Sequence, residues 1–338
     1  MIEGQEMDAT KLDRASVAAE YARRENIYKR LLEESHFIIE RGLGAEKLKY
    51  HSIPSRIKTI DSLMGKIERS HNEETRRSFD PFAEINDIVG LRVVCLFLSD
   101  ITRVGQVIRT HFKVLSEDNK IEGSDLSSFG YMSVHFVVAI KDSFSGSRYD
   151  DLRGIPFEIQ IRTIAMDAWA SISHYLSYKS SVDVPKELRR DFYALSGLFY
   201  VADSHFEMFF KGREQKLKQI SSELEVGHVD KEINLDTLSE FLLSRLPDRK
   251  RAEPSGVSEL VSELIAVGYK NLKNLNEAFE RTWDAFLKYE KDNPPSNGPE
   301  FMDIGVVRIL LSIYDKDYRN SRGVDENPYS QYENMIVK

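Results

Sequence analysis

One cysteine among 338 residues leaves nothing for an intrachain disulfide to join. Cys95 sits inside the apolar run 91–98, where a thiol behaves as a small hydrophobe and not as a nucleophile. No apolar run approaches the roughly 20 residues that a helix needs to cross a bilayer. Residues 1–10 are polar and acidic where a signal peptide would carry its apolar stretch. A cytoplasmic protein with no membrane segment is the expectation. A basic surplus is missing too: the formal net charge is −8, which excludes a general nucleic-acid coat but leaves room for a local phosphate site. Residues 45–180 hold 18 Lys and Arg against 18 Asp and Glu, so the acidic surplus lies in the flanks. No fixed-period repeat and no low-complexity tract is present.

What is present divides into a mixed segment between helical flanks. Along residues 11–42, Ala18, Tyr21, Ile27, Leu31, Leu32, Ile38 and Ile39 recur at helical spacing, and Gly42 and Gly44 are read as the helix end. A short extended segment at 50–57 and a helix from Asp61, its expected N-cap, to Ser70 follow. A charged stretch at 71–80 reads as a loop. Strands are expected at 91–98, 112–116, 131–140 and 156–161, with a crossover helix at 101–111. The first is a near-continuous apolar run, the pattern of a central strand buried on both faces. After residue 163 the pattern is helical: 164–178, then 186–225 as one long or two stacked helices, then four helices between 234 and 314. Domain bounds are expected at 1–44, 45–183, 184–228 and 229–315, with a flexible polar tail at 316–338.

Three segments place chemistry-bearing side chains at the edges of predicted elements. Arg56, Lys58, Lys66 and Arg69 lie on and after a short strand, with Lys66 and Arg69 on one helical face. They suit either a solvated basic face or a clamp on a polyphosphate. Asp87 stands just before an apolar strand. In 157–162, alternation puts Glu158, Gln160 and Arg162 on one face and Phe157, Ile159 and Ile161 on the other. That face is either the solvent side of a strand or, with Asp87, a place where two carboxylates meet a hard cation; magnesium takes one or two carboxylates plus phosphate oxygens. In 129–135, Tyr131, Ser133 and His135 again share a face, as strand packing or as a platform for a flat base.

In order, the strings RIKTIDSLMGKIER, DIVGLRVV, GYMSVH, EIQIRT and AWASISHYLSYK resemble the successive motifs of the RelA/SpoT synthetase domain. That family makes the alarmones ppGpp and pppGpp by moving pyrophosphate from ATP to the 3′-hydroxyl of GDP or GTP. The resemblance implies an α+β fold: a mixed five-stranded sheet with flanking helices, similar to polymerase-beta-type nucleotidyltransferases, with helical extensions at both ends. It implies that Arg56 and Arg92 sandwich the ATP adenine, that Lys58, Ser62, Lys66 and Arg69 hold its phosphates, and that Asp87 and Glu158 ligate Mg2+. Glu158 would also activate the acceptor hydroxyl. Tyr131 would stack on the acceptor base, with Ser133, His135, Gln160 and Arg162 close by, and His174 and Lys179 in support.

One stretch departs from the family pattern. Where these synthetases carry a basic, proline-containing run before the Gly-Tyr pair, residues 125–129 read Asp-Leu-Ser-Ser-Phe. The loop that would meet acceptor phosphates is thus less basic than the family's, which opens the tRNA 3′ end as an alternative to the expected GDP or GTP acceptor, with a non-catalytic nucleotide-binding regulator as the second alternative. About 45 residues precede the synthetase segment, without a His-Asp pair at ligand spacing, so alarmone hydrolysis is not expected. The helical flanks suit a homo-oligomer or a partner protein.

Overall fold

The protein is described here by a computed structural model covering residues 14–73, 80–121, 133–176, 184–296, 298–324 and 328–337. It forms two compact units, Met1–Phe210 and Lys211–Lys338.

The first unit opens with helix α1 (Arg14–Ala45), followed by strands β1 (Tyr50–Ser52) and β2 (Ser55–Ile57) and helix α2 (Ile60–Glu73). Next come α3 (Pro81–Glu84), β3 (Val89–Cys95), α4 (Leu98–His111) and β4 (Phe112–Asn119). The series continues with β5 (Val134–Ile140), β6 (Phe157–Thr163), α5 (Ile164–Tyr175) and α6 (Lys186–Glu225), a single 40-residue helix within which the unit boundary falls.

The strands form one mixed sheet in the order β1-β3-β6-β5-β4, with β2 also on β3. β3 and β6 run parallel and the other pairings are antiparallel. β1 and β2 share one edge of β3, and after a register shift between Tyr50 and Ser52 the register carries on from Ser52 opposite Val94 to Ser55 opposite Leu91. Six strands thus occupy five positions, the width expected from the sequence, and the edge strand is broken at Pro54, which has no N–H to give.

The central strand is buried on both faces only toward its C-terminal end. Val89, Leu91, Val93 and Cys95 are buried on one face and Val94 on the other, but Gly90 and Arg92 on that second face are partly exposed. β5 and β6 repeat the pattern, with partial exposure at His135 and Val137 and at Glu158 and Gln160. The buried face packs with Leu31 and Ile39 of α1 and Val104 and Ile108 of α4. The sheet therefore has a dry side against helices and a polar side that forms a floor.

Three other expectations change. Asp61 is not the N-cap of α2: Thr59 precedes the helix and its Oγ1 accepts from Ser62 N at 3.3 Å, while Asp61 lies in the first turn and pairs with Arg14. Gly42 and Gly44 do not end α1, which runs through both. A Cβ at Gly42 would lie 2.6 Å from Val107 Cγ1, so this glycine lets α1 and α4 approach closely. The helix ends at Ala45, and the chain turns away at Lys47, whose φ of 51° is left-handed, with Leu48 N bonding back to Leu43 O at 2.9 Å. The tail expected to be flexible is anchored in the second unit: Tyr318 and Tyr332 are 0% and 2% exposed. Its polar composition concealed two rings that bury themselves while their hydroxyls find carboxylates, Tyr318 on Glu263 at 2.7 Å and Tyr332 on Asp292 at 3.2 Å.

The second unit is helical: α7 (Leu235–Arg245), α8 (Pro254–Ala266), α9 (Leu272–Asp292), α10 (Asp303–Tyr314), α11 (Lys316–Ser321) and α12 (Ser330–Glu333). Leu238, Phe241, Leu260, Leu275 and Leu310 are wholly buried in its core. No helix among the described residues is long and apolar enough to cross a membrane.

The α1–α4 contact yields a paired expectation. Gly42→Ala should destabilise the protein by about 1–3 kcal/mol, because the added methyl overpacks the contact. Gly44→Ala, where a Cβ meets nothing within 4 Å, should be neutral or stabilise by up to about 1 kcal/mol. Urea unfolding of the two variants checks this, and equal midpoints would show that α4 yields to the methyl.

Candidate active site

Strand register assembles the polar floor. Gly90 pairs with Glu158 and Arg92 with Gln160 across the parallel β3–β6 ladder. His135 pairs with Gln160 across β5–β6, and Arg56 with Gly90 across β2–β3. Paired residues point to the same face, so Arg56, Arg92, His135, Glu158 and Gln160, from four strands, share one surface. Arg56 and Arg92 are diagonal neighbours on adjacent strands, about 7–8 Å apart by strand geometry, which leaves room for one flat ring. Gly90 contributes no side chain to the row between Arg56 and Glu158. A Cβ there would come no closer than 4.0 Å to Arg56 Cγ, so the row stays open.

At one end of this floor lies Asp87, just ahead of β3. Lys58 Nζ donates to its Oδ2 at 2.8 Å, and Lys66 Nζ approaches Oδ1 to 2.9 Å as an ion pair outside hydrogen-bond geometry. Burial pushes the Asp87 carboxyl upward, but the two ammonium groups outweigh it and hold the carboxyl below its ordinary value. Lys58 is fixed from three sides: its N–H bonds Ile88 O at 2.7 Å, Tyr21 of α1 donates to its carbonyl at 2.8 Å, and its side chain is 10% exposed. Ser62, Lys66 and Arg69 recur four and three residues apart along α2 and so share a face. Ser62 and Arg69 are exposed, and Lys66 is partly so.

Glu158 is the second carboxylate. Its Oε1 lies 2.7 Å from His135 Nδ1, and its Oε2 accepts from Gln160 Nε2 at 2.8 Å. A carboxylate accepts only, so Nδ1 carries a proton; in the neutral ring the buried Ser133 hydroxyl, 2.7 Å away, donates to Nε2. Burial raises the Glu158 carboxyl, yet the hydrogen bonds from His135 and Gln160 win and lower it, against a smaller upward push from the charge of Asp87.

Among the described residues no group of three or more His, Cys, Asp or Glu side chains is placed to hold a metal ion. A protein-only metal cage is thus not what this site offers. Two carboxylates, one beside a pair of lysines and the other held by His135 and Gln160, fit a magnesium ion that draws its remaining ligands from phosphate and water.

Arg162 is 3% exposed and lies 3.5 Å from Asp167, whose Oδ1 also accepts from Arg92 Nη1 at 2.5 Å. The sequence reading missed Asp167, which ties two site arginines together. Its only signal was an acidic residue in the first turn of the helix after EIQIRT. His174 is exposed in the last turn of α5 and, among the described residues, has no side-chain hydrogen-bond partner. Tyr131 and Lys179 lie outside the described residues.

Residues 55–183 match the family model described as a region found in RelA / SpoT proteins. Two curated relatives come from Bacillus subtilis (strain 168). GTP pyrophosphokinase YwaC is 35% identical over 136 residues, 40% of this chain and 61% of that protein. GTP pyrophosphokinase YjbM is 34% identical over 143 residues, with the same coverage of 40% and 61%. The match thus spans about three fifths of the length of either relative. Among solved structures, small alarmone synthetase 2 from Bacillus subtilis matches at a TM-score of 0.46 and 26% identity, over 57% of this chain and 99% of that one. The Bacillus subtilis small alarmone synthetase 1 bound to its product pppGpp matches at 0.47 and 23%, over 59% and 99%.

Asp167→Asn keeps the size and removes the charge shared by Arg92 and Arg162. Because Arg162 is almost wholly buried, the variant should lose about 1–3 kcal/mol of stability. An unaltered urea midpoint would mean that Arg162 is held by its other partners alone.

Proposed function

We propose, from the premise that residues 55–183 form a RelA/SpoT-type domain, that this protein transfers pyrophosphate from ATP to the 3′-hydroxyl of GDP or GTP, releasing AMP. What supports the reading is that Arg56, Arg92, His135 and Glu158 share one face of the sheet by register, while Asp87, just ahead of β3, holds two lysines. Two named GTP pyrophosphokinases at 34–35% identity support it.

In this reading the donor lies over β2, α2 and β3. The guanidinium planes of Arg56 and Arg92 stack on its purine, while Lys58, Ser62, Lys66 and Arg69 meet its phosphates. The acceptor lies over β5 and β6, near Ser133, His135, Gln160 and Arg162. Its base stacks on Tyr131, and His174 and Lys179 support the site. The acceptor oxygen attacks the β-phosphorus in line. A bond forms from O3′ to that phosphorus, the bond to the α–β bridging oxygen breaks, and AMP leaves with that oxygen. Glu158 takes the hydroxyl proton; its bond from His135 keeps one oxygen oriented and the carboxylate ionised, ready to accept. Asp87 and Glu158 would hold magnesium, which when bound neutralises phosphate charge and makes the phosphorus more electrophilic. The remaining barrier reduction comes from positioning and from the preorganised cations.

Asp87→Asn and Glu158→Gln should each lower turnover about 100- to 1,000-fold, since removing a preorganised charge costs of that order, while the variants still unfold in one cooperative transition. Arg56→Lys should weaken ATP binding despite the retained charge, because a planar stack is lost. The acceptor is identified by supplying labelled ATP with GDP, GTP or deacylated tRNA. Transfer to tRNA alone, falling steeply with salt, would replace the nucleotide acceptor, and binding without transfer to any of the three would leave a nucleotide-binding regulator.

A further inference from the structure

Three of the four oxygens of the two carboxylates are hydrogen-bonded within the chain, and the fourth, Asp87 Oδ1, faces an ammonium as an ion pair. Asp87 has Lys58 at 2.8 Å on Oδ2 and Lys66 at 2.9 Å on Oδ1. Glu158 has His135 at 2.7 Å on Oε1 and Gln160 at 2.8 Å on Oε2. Around Asp87 two ammonium charges face one carboxylate, and Glu158 brings the group only to neutrality, so an arriving dication meets no net negative charge. The same lysines are the ones that the donor phosphates would attract. An ammonium cannot serve a carboxylate and a polyphosphate at full strength at once, so Asp87 and the donor compete for them.

We propose that Lys58 and Lys66 form a latch that closes Asp87 to a free divalent cation and releases it only when a polyphosphate draws the ammonium groups away. The metal then enters with the nucleotide and not before it. The inference rests on the donor-side reading above and adds an order of binding to it. The two lysines are built for unequal movement. Lys58 is 10% exposed and fixed through its backbone, whereas Lys66 is 36% exposed on α2. Lys66 is the mobile half of the latch. By linkage, whatever factor the nucleotide adds to metal affinity, the metal adds to nucleotide affinity.

The test titrates the full chain with Mn2+, read by electron paramagnetic resonance of the free ion, with and without a non-hydrolysable ATP analogue. Wild type should bind Mn2+ alone about 100-fold more weakly than in the presence of the analogue, within the usual range of coupling between two ligands. Lys66→Met should bind Mn2+ alone roughly tenfold more tightly than wild type, as expected when one neighbouring charge is removed from a carboxylate. Asp87→Asn should bind the analogue without metal more tightly than wild type, because both lysines lose their internal acceptor. A purely structural role for the lysines would give neither gain. Tight Mn2+ binding by wild type alone, an unchanged Mn2+ affinity in Lys66→Met, or weaker analogue binding in Asp87→Asn would each overturn the latch. Analogue binding measured in the same titrations separates the two levels: its absence from wild type sinks the donor reading itself, whereas its presence with tight Mn2+ binding alone sinks only the latch.

Discussion

The parallel ladder between β3 and β6 is the constraint from which the site follows. It sets Gly90 beside Glu158 and Arg92 beside Gln160. A slip of one residue would turn Glu158 and Gln160 toward the dry face and Ile159 into the open row. What prevents the slip is apolar burial on the other side, where Leu91, Val93, Ile159 and Ile161 are at most 2% exposed. The chemistry-bearing face is thus held in register by the face that carries no chemistry.

That division explains the electrostatics. Charges on a half-open face remain close to water, yet Asp87 and Glu158 are buried enough for desolvation to be the largest single influence on each. Both stay ionised because each has dedicated donors: ammonium groups at Asp87, an imidazole and an amide at Glu158. The difference in partners fits a difference in work. Lysines can follow a phosphate, whereas a strand-mounted histidine braced by Ser133 keeps its carboxylate aimed.

Most of this was legible from residue order because strand alternation has a period of two and fixes which side chains share a face. Glu158, Gln160 and Arg162 separated from Phe157, Ile159 and Ile161 by counting alone. Four of the strands and the flanking helices were readable from the pattern, while the five-position sheet came from the family resemblance. Pairings distant in sequence were not. Asp167 is 75 residues from Arg92, and no local pattern marks it as the carboxylate that two arginines share. Averages misled in the tail, where Tyr318 and Tyr332 are anchored among polar neighbours. Glycine was ambiguous: at the end of an apolar-periodic run Gly42 reads as a terminator, whereas its lack of a Cβ serves a helix crossing.

The long helix α6 shows how the site is braced from outside the recognisable motifs. Asp203 and Glu207, one turn apart, are both nearly buried. Asp203 accepts from the Thr163 hydroxyl, and Glu207 Oε2 accepts from Ser99 N at 3.0 Å and Ser99 Oγ at 3.1 Å. Thr163 is the N-cap of α5 and adjoins Arg162; Ser99 lies in the first turn of α4, just after β3. Two carboxylates of one helix therefore sit at the N-terminal ends of two others, where exposed N–H groups and the helix dipole favour negative charge. Burial nevertheless holds the Asp203 carboxyl above its ordinary value, so its bond from Thr163 is more than incidental: without a donor the carboxylate would have no compensation for desolvation. Because α4 follows β3 and α5 follows β6, fixing those two helix starts fixes the ends of the two strands whose parallel pairing makes the floor.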